Sequence, residues 1–318
     1  VHGILTRSLG ISIAMQTEIE STRQNFVLIA NPISGKGKAT AIAENAYQQL
    51  TANGRKGRLE LTTQSGDANR FAREAVENGL HRIIVCGGDG TIHEVVNAIA
   101  QKPDVVLGLL PCGKGNDLAG ALKIPKNPAD AIDVLLNGTP RQIDLGKIGE
   151  HYFDTIVTCG YDAEVSRRVT EGGVPFSGTA AYVYAAITML FRYKSPVVRL
   201  EGDFGAYEGN ILLTATGITS SYGGGMKILP DAVMDDGLLD VCIIKPIPRL
   251  TVLRMLVKLF WGGHTSHPAV EIHRTKSLTI HTQPPILLCA DGERICYTPA
   301  TIEIIERGLS VLLPADKG

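Results

Sequence analysis

The sequence has little net charge: 31 Lys and Arg stand against 32 Asp and Glu, for a formal net charge of −1 over 318 residues. Bulk attraction to nucleic acid is thereby excluded, no nucleic-acid partner is expected, and any anion must be recognised locally. The six cysteines, at 86, 112, 159, 242, 289 and 296, show no C-x-x-C spacing. Most lie in apolar runs and read as reduced core thiols, so the expected setting is cytoplasmic. No Cys and His cluster with metal-ligand spacing occurs, and a zinc-type site is not expected. Long apolar runs are missing too. Gly172 to Phe191 carries no charge, but its first part, GGVPFSGTA, is rich in Gly, Pro and Ser. The remaining Ala180 to Tyr193 falls short of the ~20 apolar residues that span a bilayer. Internal repeats and low-complexity linkers are absent. Residues 1–24 lack an apolar core followed by a small-residue cleavage site, and read as a disordered extension rather than a signal peptide.

What is present is a chain that changes character near its middle. With 44% apolar and 20% charged positions, it can bury a sizeable core and is long enough for two domains. From Phe26 onward, apolar strands (FVLIANP, RLELTT, HRIIVCGG, VVLGLLP) alternate with helical stretches (38–52, DANRFAREAVENG, TIHEVVNAIAQ, DLAGALKI, PADAIDVLLNG). Alternating βα units predict a parallel sheet covered by helices. Beyond Asp144 short strands dominate, interrupted by helices near 179–193 and 248–261, which predicts an antiparallel β domain. The expected division is an α/β domain over 25–141, completed by about 306–318, and a β-rich domain over 142–305.

Glycine-bearing junctions mark the strand ends. NPISGKGKA (31–39) leaves the first strand, CGGDGTIHE (86–94) leaves the third, and PCGKGNDLAGAL (111–122) leaves the fourth. Ligands of open α/β sheets settle outside the carboxyl ends of the strands, so three such loops on one edge point to a phosphate-bearing ligand. The first loop lacks the spacing of a Walker P-loop. Plainer readings stay open: Asp89 as a turn residue, Asn116 and Asp117 as a helix cap, VMDDGLLDV (233–241) as an Asp-Gly turn, and LLCADGERICY (287–297) as a hairpin.

Taken together and in this order, NPISGKGKA, GGDGTIHEVVNAI, GKGNDLAGAL and the late ADGERI resemble the diacylglycerol kinase catalytic domain family, which includes bacterial diacylglycerol kinases and sphingosine kinases. The resemblance runs from about Phe26 to the C-terminus. It implies an α/β nucleotide-binding domain, a β-sandwich domain and an active site in the cleft between them. It implies ATP and Mg²⁺, with Asn31, Ser34, Gly35 and Thr62 beside the nucleotide and Gly87, Gly88, Asp89, Gly90, Thr91 and Glu94 wrapping it. By the same resemblance Asp89, Asp117 and Asp144 organise a water-linked network around the catalytic Mg²⁺. The carbonyls of Val233 and Leu238 with the Asp236 carboxylate hold a structural one, and Asp291 is the catalytic base. Glu293, two residues on, is expected on the same strand face, where it would orient Asp291. Three positions depart from the family pattern: Lys114 stands where Thr is frequent, Gly120 where Arg is, and His93 where Asn is usual. Lys114, between two glycines, is expected to serve the phosphates as a point charge.

The implied reaction is transfer of the γ-phosphoryl group of ATP to a hydroxyl of diacylglycerol or a related lipid. An NAD kinase-like enzyme shares GGDGT but is disfavoured by NPISGKGKA and ADGE. A nucleotide-binding regulatory module that has lost catalysis is disfavoured by retention of Asp89, Asp117, Asp144 and Asp291. RLTVLRMLVKLFWGGH (249–264) is basic and amphipathic, and is read either as a helix at an anionic membrane surface or as one packed on its domain. A homodimer is left open.

Overall fold

A computed structural model describes residues 25–172, 174–175 and 179–315. The expected extension 1–24 lies outside the described residues, as does 316–318. Two compact units divide the described residues: unit 1 holds 25–113, Lys123–Arg141 and 309–315, and unit 2 holds Lys114–Leu122 and, of Gln142–Gly308, the described residues.

Unit 1 is built on a parallel sheet. β1 (Phe26–Ala30), β2 (Gly57–Leu61), β3 (Arg82–Gly87) and β4 (Val106–Pro111) lie in the order β2-β1-β3-β4. Phe26 is opposite both Gly57 and Arg82, and Arg82 is opposite Val106. The end of the last strand, β16 (Ala300–Leu313), pairs parallel with β4 at Ser310–Val106 and Val311–Leu107. β1 is buried at every residue, as expected of a parallel strand covered on both faces. Helices α1 (Ala39–Ala52), α2 (Asp67–Glu77) and α3 (Asp89–Ile99) follow the first three strands. The buried positions of α1 are Ala39, Ala43, Ala46 and Leu50, one face at helical spacing. α5 (Pro128–Asn137) starts with Asn127 accepting from the Ala129 amide and with Pro128 in its first turn. At its other end Arg55 donates to the Leu135 and Leu136 carbonyls and Arg82 to that of Leu135, so cations meet the negative end of the helix.

Unit 2 contains α4 (Asp117–Ala121) and two antiparallel sheets. In one, β13 (Ser277–Thr282) lies between the start of β16 and β8 (Val197–Gly202), and β8 also pairs β9 (Gly205–Asn210). β5 (Thr139–Ile148) pairs β6 (His151–Phe153) beside it. The other sheet has the order β12-β11-β10-β7-β14-β15, from β7 (Ile156–Gly160), β10 (Leu213–Gly217), β11 (Leu239–Ile244), β12 (Val270–Thr275), β14 (Leu287–Ala290) and β15 (Glu293–Tyr297). Phe153, Val157, Leu200, Val241, Leu278 and Ile302 meet in the core between the two sheets. The second face of the six-stranded sheet is covered by α6 (Tyr161–Thr170), α7 (Thr179–Leu190) and α8 (Arg249–Lys258), whose Val165, Ala185, Val252 and Met255 pack with Cys242 and Ile244. Covered on both faces, β7, β10 and β11 are buried at every residue.

The fold class is thus as the sequence predicts, an α/β unit and an antiparallel β sandwich. Two details differ. Between the expected strand ending near Tyr161 and the helix near 179–193 the structure has a further helix, α6, which follows Gly160 directly. EIHRTKSLTIHT, which by pattern is one of the short strands expected beyond Asp144, is two strands in two sheets, separated at Lys276.

One acid in unit 1 is a structural fastener. Asp67 Oδ2 accepts from the Thr63 amide at 2.8 Å, the Thr63 hydroxyl at 2.8 Å and the Gln64 amide at 3.1 Å, and Oδ1 accepts from Arg70 at 3.0 Å. These bonds, the Thr63 amide foremost, hold the Asp67 carboxyl well below the usual carboxylate range. A depressed native pKa contributes stability that is complete above the unfolded value of ~3.9 and is lost as pH falls toward the native value. Asp67→Asn therefore lowers Tm at neutral pH, and its deficit against the parent narrows below about pH 4; thermal melts across pH check this, and a constant deficit would contradict it.

Candidate functional site

The chain turns sharply where β1 ends. The Asn31 amide donates to the Cys86 carbonyl at 3.1 Å, Asn31 Oδ1 accepts from the Ile33 amide at 3.2 Å, and Nδ2 donates to Thr91 Oγ1 at 3.3 Å. Ser34 donates its amide to the Asn31 carbonyl at 3.0 Å. Gly35 has a left-handed φ of 62°, and a Cβ there would stand 3.2 Å from the Cys112 carbonyl oxygen. The first loop therefore rests on the exit of β4. At the exit of β3, a Cβ on Gly88 would stand 3.0 Å from Gly113 Cα, and one on Gly87 would strike the Thr91 side chain. Gly90 is exposed in the first turn of α3, and Thr62, whose amide bonds the Ala30 carbonyl at 2.9 Å, follows β2. Within unit 1, then, the loops after β1, β3 and β4 converge at the carboxyl edge of the sheet. The first turn of α3, with Asp89 at its head, stands among them. Parallel pairing puts these exits side by side, and glycine lets the backbones meet. Cys86 and Cys112 close the rear of the junction, both buried, with Sγ atoms 3.3 Å apart.

Glu94, expected beside the nucleotide, is bonded to the loop after β2. Its carboxylate accepts from Ser65 Oγ at 3.1 Å, the Gly66 amide at 2.8 Å and the Ala68 amide at 3.1 Å. It therefore caps α2 and fixes the loop after β2, satisfying amides that a helix start leaves open.

The acidic residues in unit 2 also hold backbone. Asp117 at the start of α4 accepts from the Gly223 amide at 2.7 Å and the Gly224 amide at 2.8 Å. The same turn carries Tyr222, whose hydroxyl bonds the Asp162 carboxyl. Burial raises the Asp162 carboxyl above its ordinary value, against the hydroxyls of Thr158 and Tyr222, which favour the charged form. Burial, and after it the Asp162 charge, pushes Tyr222 well above the usual phenol range. Asp144 is buried in β5 and accepts from the amides of Gly237 and Arg307, both at 2.7 Å. Asp291 occupies the two-residue turn between β14 and β15, with φ of 51° and 83° at Asp291 and Gly292, as an Asp-Gly hairpin requires. Its Oδ2 accepts from the Asp154 amide at 3.1 Å, and its Oδ1 from the Thr155 amide at 2.9 Å and Thr155 Oγ1 at 2.6 Å. Glu293 opens β15 and is exposed. Strand alternation does not put it on a face with Asp291, because Asp291 lies in the left-handed turn; Thr155 and the Asp154 amide orient Asp291 instead.

Among the described residues no three His, Cys, Asp or Glu side chains converge to hold a metal ion directly. A carboxylate has about four lone-pair positions, and Asp144 gives two to amides, so capacity remains for water. A hard divalent cation that keeps several waters suits such acids. At the other expected metal position, Asp236 accepts from the Leu238 amide at 3.1 Å and lies 3.7 Å from Arg274, while Val233 is exposed. One carboxylate with the Val233 and Leu238 carbonyls would be an all-oxygen set of the same character. Lys114 is exposed, and Gly120 has open space around it. The partners Gly223, Gly224, Thr155 and Ser65 were not singled out by sequence. The run SYGGG, three glycines outside any strand or helix pattern, was the available signal.

The sequence model of the "Diacylglycerol kinase catalytic domain" matches residues 25–148, and that of the "YegS C-terminal NAD kinase beta sandwich-like domain" matches 155–313. A diacylglycerol kinase of Staphylococcus epidermidis is 32% identical over 295 residues, covering 92% of this chain and 93% of that protein. One of Staphylococcus aureus is 32% identical, covering 92% of this chain and 94% of its own. A crystal structure described as a diacylglycerol kinase from Bacillus anthracis str. Sterne has a TM-score of 0.75 at 23% identity, covering 92% of this chain and 97% of that one, a likeness of fold. Because the two domain matches run in order through both halves and the identity extends over nearly the whole chain, the protein belongs to the diacylglycerol kinase catalytic domain family, a family of kinases.

Proposed function

We propose that the protein transfers the γ-phosphoryl group of ATP to a hydroxyl of diacylglycerol or a related lipid. The observation that carries this reading is the convergence of the three loops of unit 1, where Gly35 and Gly88 keep side chains out of a junction of backbones. Phosphates need many N–H donors at close range, and a glycine junction at the strand exits with a helix start beside it supplies them. The names of the 32%-identical relatives support diacylglycerol as the acceptor.

In this reading Asn31, Ser34, Gly35 and Gly87 to Thr91 hold the phosphates, and exposed Lys114 adds a mobile point charge. Asp89, Asp117 and Asp144 would hold Mg²⁺ largely through water, and Val233, Asp236 and Leu238 a second ion. Bound Mg²⁺ offsets charge on the phosphoryl group in transfer. Asp291 takes the proton of the acceptor hydroxyl as that oxygen forms its bond to the γ-phosphorus and the bond to ADP breaks. Thr155 and the Asp154 amide hold the carboxylate in one orientation for that transfer.

Asp291→Asn should lower kcat by roughly 10²-fold or more, the usual contribution of a general base. The structure adds a cost: an Asn amide would face the Asp154 amide donor to donor, so stability falls by about 1–3 kcal/mol. Thr155→Val removes one hydrogen bond but keeps the carboxylate, and should cost kcat far less. Steady-state kinetics with melting curves separate the two, and a kcat within a few-fold of the parent in Asp291→Asn would remove its role. For the phosphate loops, Gly88→Ala pushes a methyl against Gly113 and should raise the KM for ATP about tenfold, equivalent to ~1.4 kcal/mol, with the lipid KM little changed. Lys114→Ala should act in the same direction more weakly, and unaltered ATP kinetics in both variants would refute the cradle.

A further inference from the structure

Helix α8 and the 3₁₀ turn after it (Leu259–Trp261) carry two apolar faces where a helix packed on its domain needs one. Val252, Met255 and Leu259 are buried against the six-stranded sheet. At about 100° per residue, Leu250, Leu253, Val257 and Trp261 fall on the opposite side, and all four are exposed together with Phe260. Exposure reaches 57% at Val257, 60% at Leu250 and 63% at Trp261, so the inner packing leaves these side chains in water. The neighbouring α7 repeats the arrangement: Ala185 and Leu190 face the core, whereas Tyr184, Ile187 and Phe191 are exposed. The two helices are joined at one end, where Arg249 donates to the Leu190 and Phe191 carbonyls and its guanidinium lies 5.5 Å from the centre of the Phe191 ring. Two outward apolar stripes thus form one patch, larger than the isolated exposed side chains that any surface shows.

The two helical segments themselves carry charges of one sign. Residues 179–194 and 249–261 contain Arg192, Lys194, Arg249, Arg254 and Lys258 and no Asp or Glu, in a chain whose net charge is −1. On α8, Arg254 and Lys258 flank the outer stripe on one side and Arg249 on the other. Aliphatic and aromatic side chains with Trp, bordered by Lys and Arg and free of carboxylates, are the composition of a surface that lies in the headgroup layer of an anionic bilayer. A second copy of the same patch would bring like charges together, which disfavours a dimer through this face.

We propose that the outer faces of α7 and α8 form a docking surface for an anionic lipid bilayer, with Leu250, Val257, Phe260 and Trp261 entering the interface and Arg254 and Lys258 meeting lipid phosphates. This deepens the lipid-kinase reading, on which it rests for the biological purpose of the contact. No helix among the described residues is long and apolar enough to cross a membrane.

Trp261 is the only tryptophan in the chain and reports directly. On titration with vesicles containing anionic phospholipid, its emission should shift to the blue and the protein should co-sediment, with little response to vesicles of neutral phosphatidylcholine. Leu250→Glu with Val257→Glu should abolish both signals while leaving the melting temperature unchanged. Arg254→Glu with Lys258→Glu should weaken binding more than tenfold, since each basic residue near an anionic surface contributes ~1 kcal/mol. Unchanged vesicle binding in either double variant, or no binding by the parent, would overturn the proposal. So would a dimer in analytical ultracentrifugation that Leu250→Glu with Val257→Glu dissociates. Kinase activity toward a short-chain, water-soluble diacylglycerol separates the two readings. Both double variants should keep it, and its absence from the parent would refute the lipid-kinase reading while vesicle binding stood.

Discussion

Backbone can meet backbone at the edge of unit 1 only because nothing projects between the strands' exits. A single Cβ on Gly88 would stand 3.0 Å from Gly113 Cα, and one on Gly35 would press on the Cys112 carbonyl. The loops after β1, β3 and β4 are brought side by side by the register of the parallel sheet. That closeness brings main-chain groups to the surface of the junction, beside the side chains of Asn31 and Thr91. An anion is the ligand such a surface suits, because amide donors carry no counter-charge that must be displaced and need no side-chain ordering.

A second theme runs through both units: the acids that a reader of the sequence would assign to chemistry are also the fasteners of the backbone. Asp117 holds the turn at Gly223 and Gly224, Asp144 joins Gly237 to Arg307, and Asp291 draws in Asp154 and Thr155. Each spans segments far apart in sequence, and a hydrogen bond to a charged group contributes about 1.5–3 kcal/mol. Orientation of the carboxylates and cohesion of the unit are therefore one property. Glu94 and Asp67 fasten the start of α2 in the same way.

The alternation of apolar strands with helical stretches was enough to read unit 1, since each strand there is a short buried run bounded by glycine. The hairpin at Asp291 was equally legible, because Asp-Gly demands the positive φ pair that is found. α6 was missed because it is short and starts directly after Gly160, with no loop between strand and helix. The relation supposed between Asp291 and Glu293 failed for a physical reason: alternation holds only in extended chain, and a left-handed turn resets it. The bonds that Glu94 makes to Ser65, Gly66 and Ala68 were not legible because these partners lie in another loop, and no local pattern records such a pairing. The departures at His93, Lys114 and Gly120 are visible in sequence, but only their surroundings say what they could do; open space around Gly120 leaves room for a longer side chain.

β16 belongs to both units along its length: its start pairs with β13, and its end completes the parallel sheet beside β4. On its free side Val106 pairs with Ser310, so the sheet that carries the glycine loops is finished by residues made some two hundred positions after its other strands. Until then β4 presents an unpaired edge, the kind of edge that invites wrong partners. The α/β half, though made first, is the half that must wait, and its pairing across the whole chain makes it slow to close. Removal of the final strand would act on the loops that lie farthest from it in sequence.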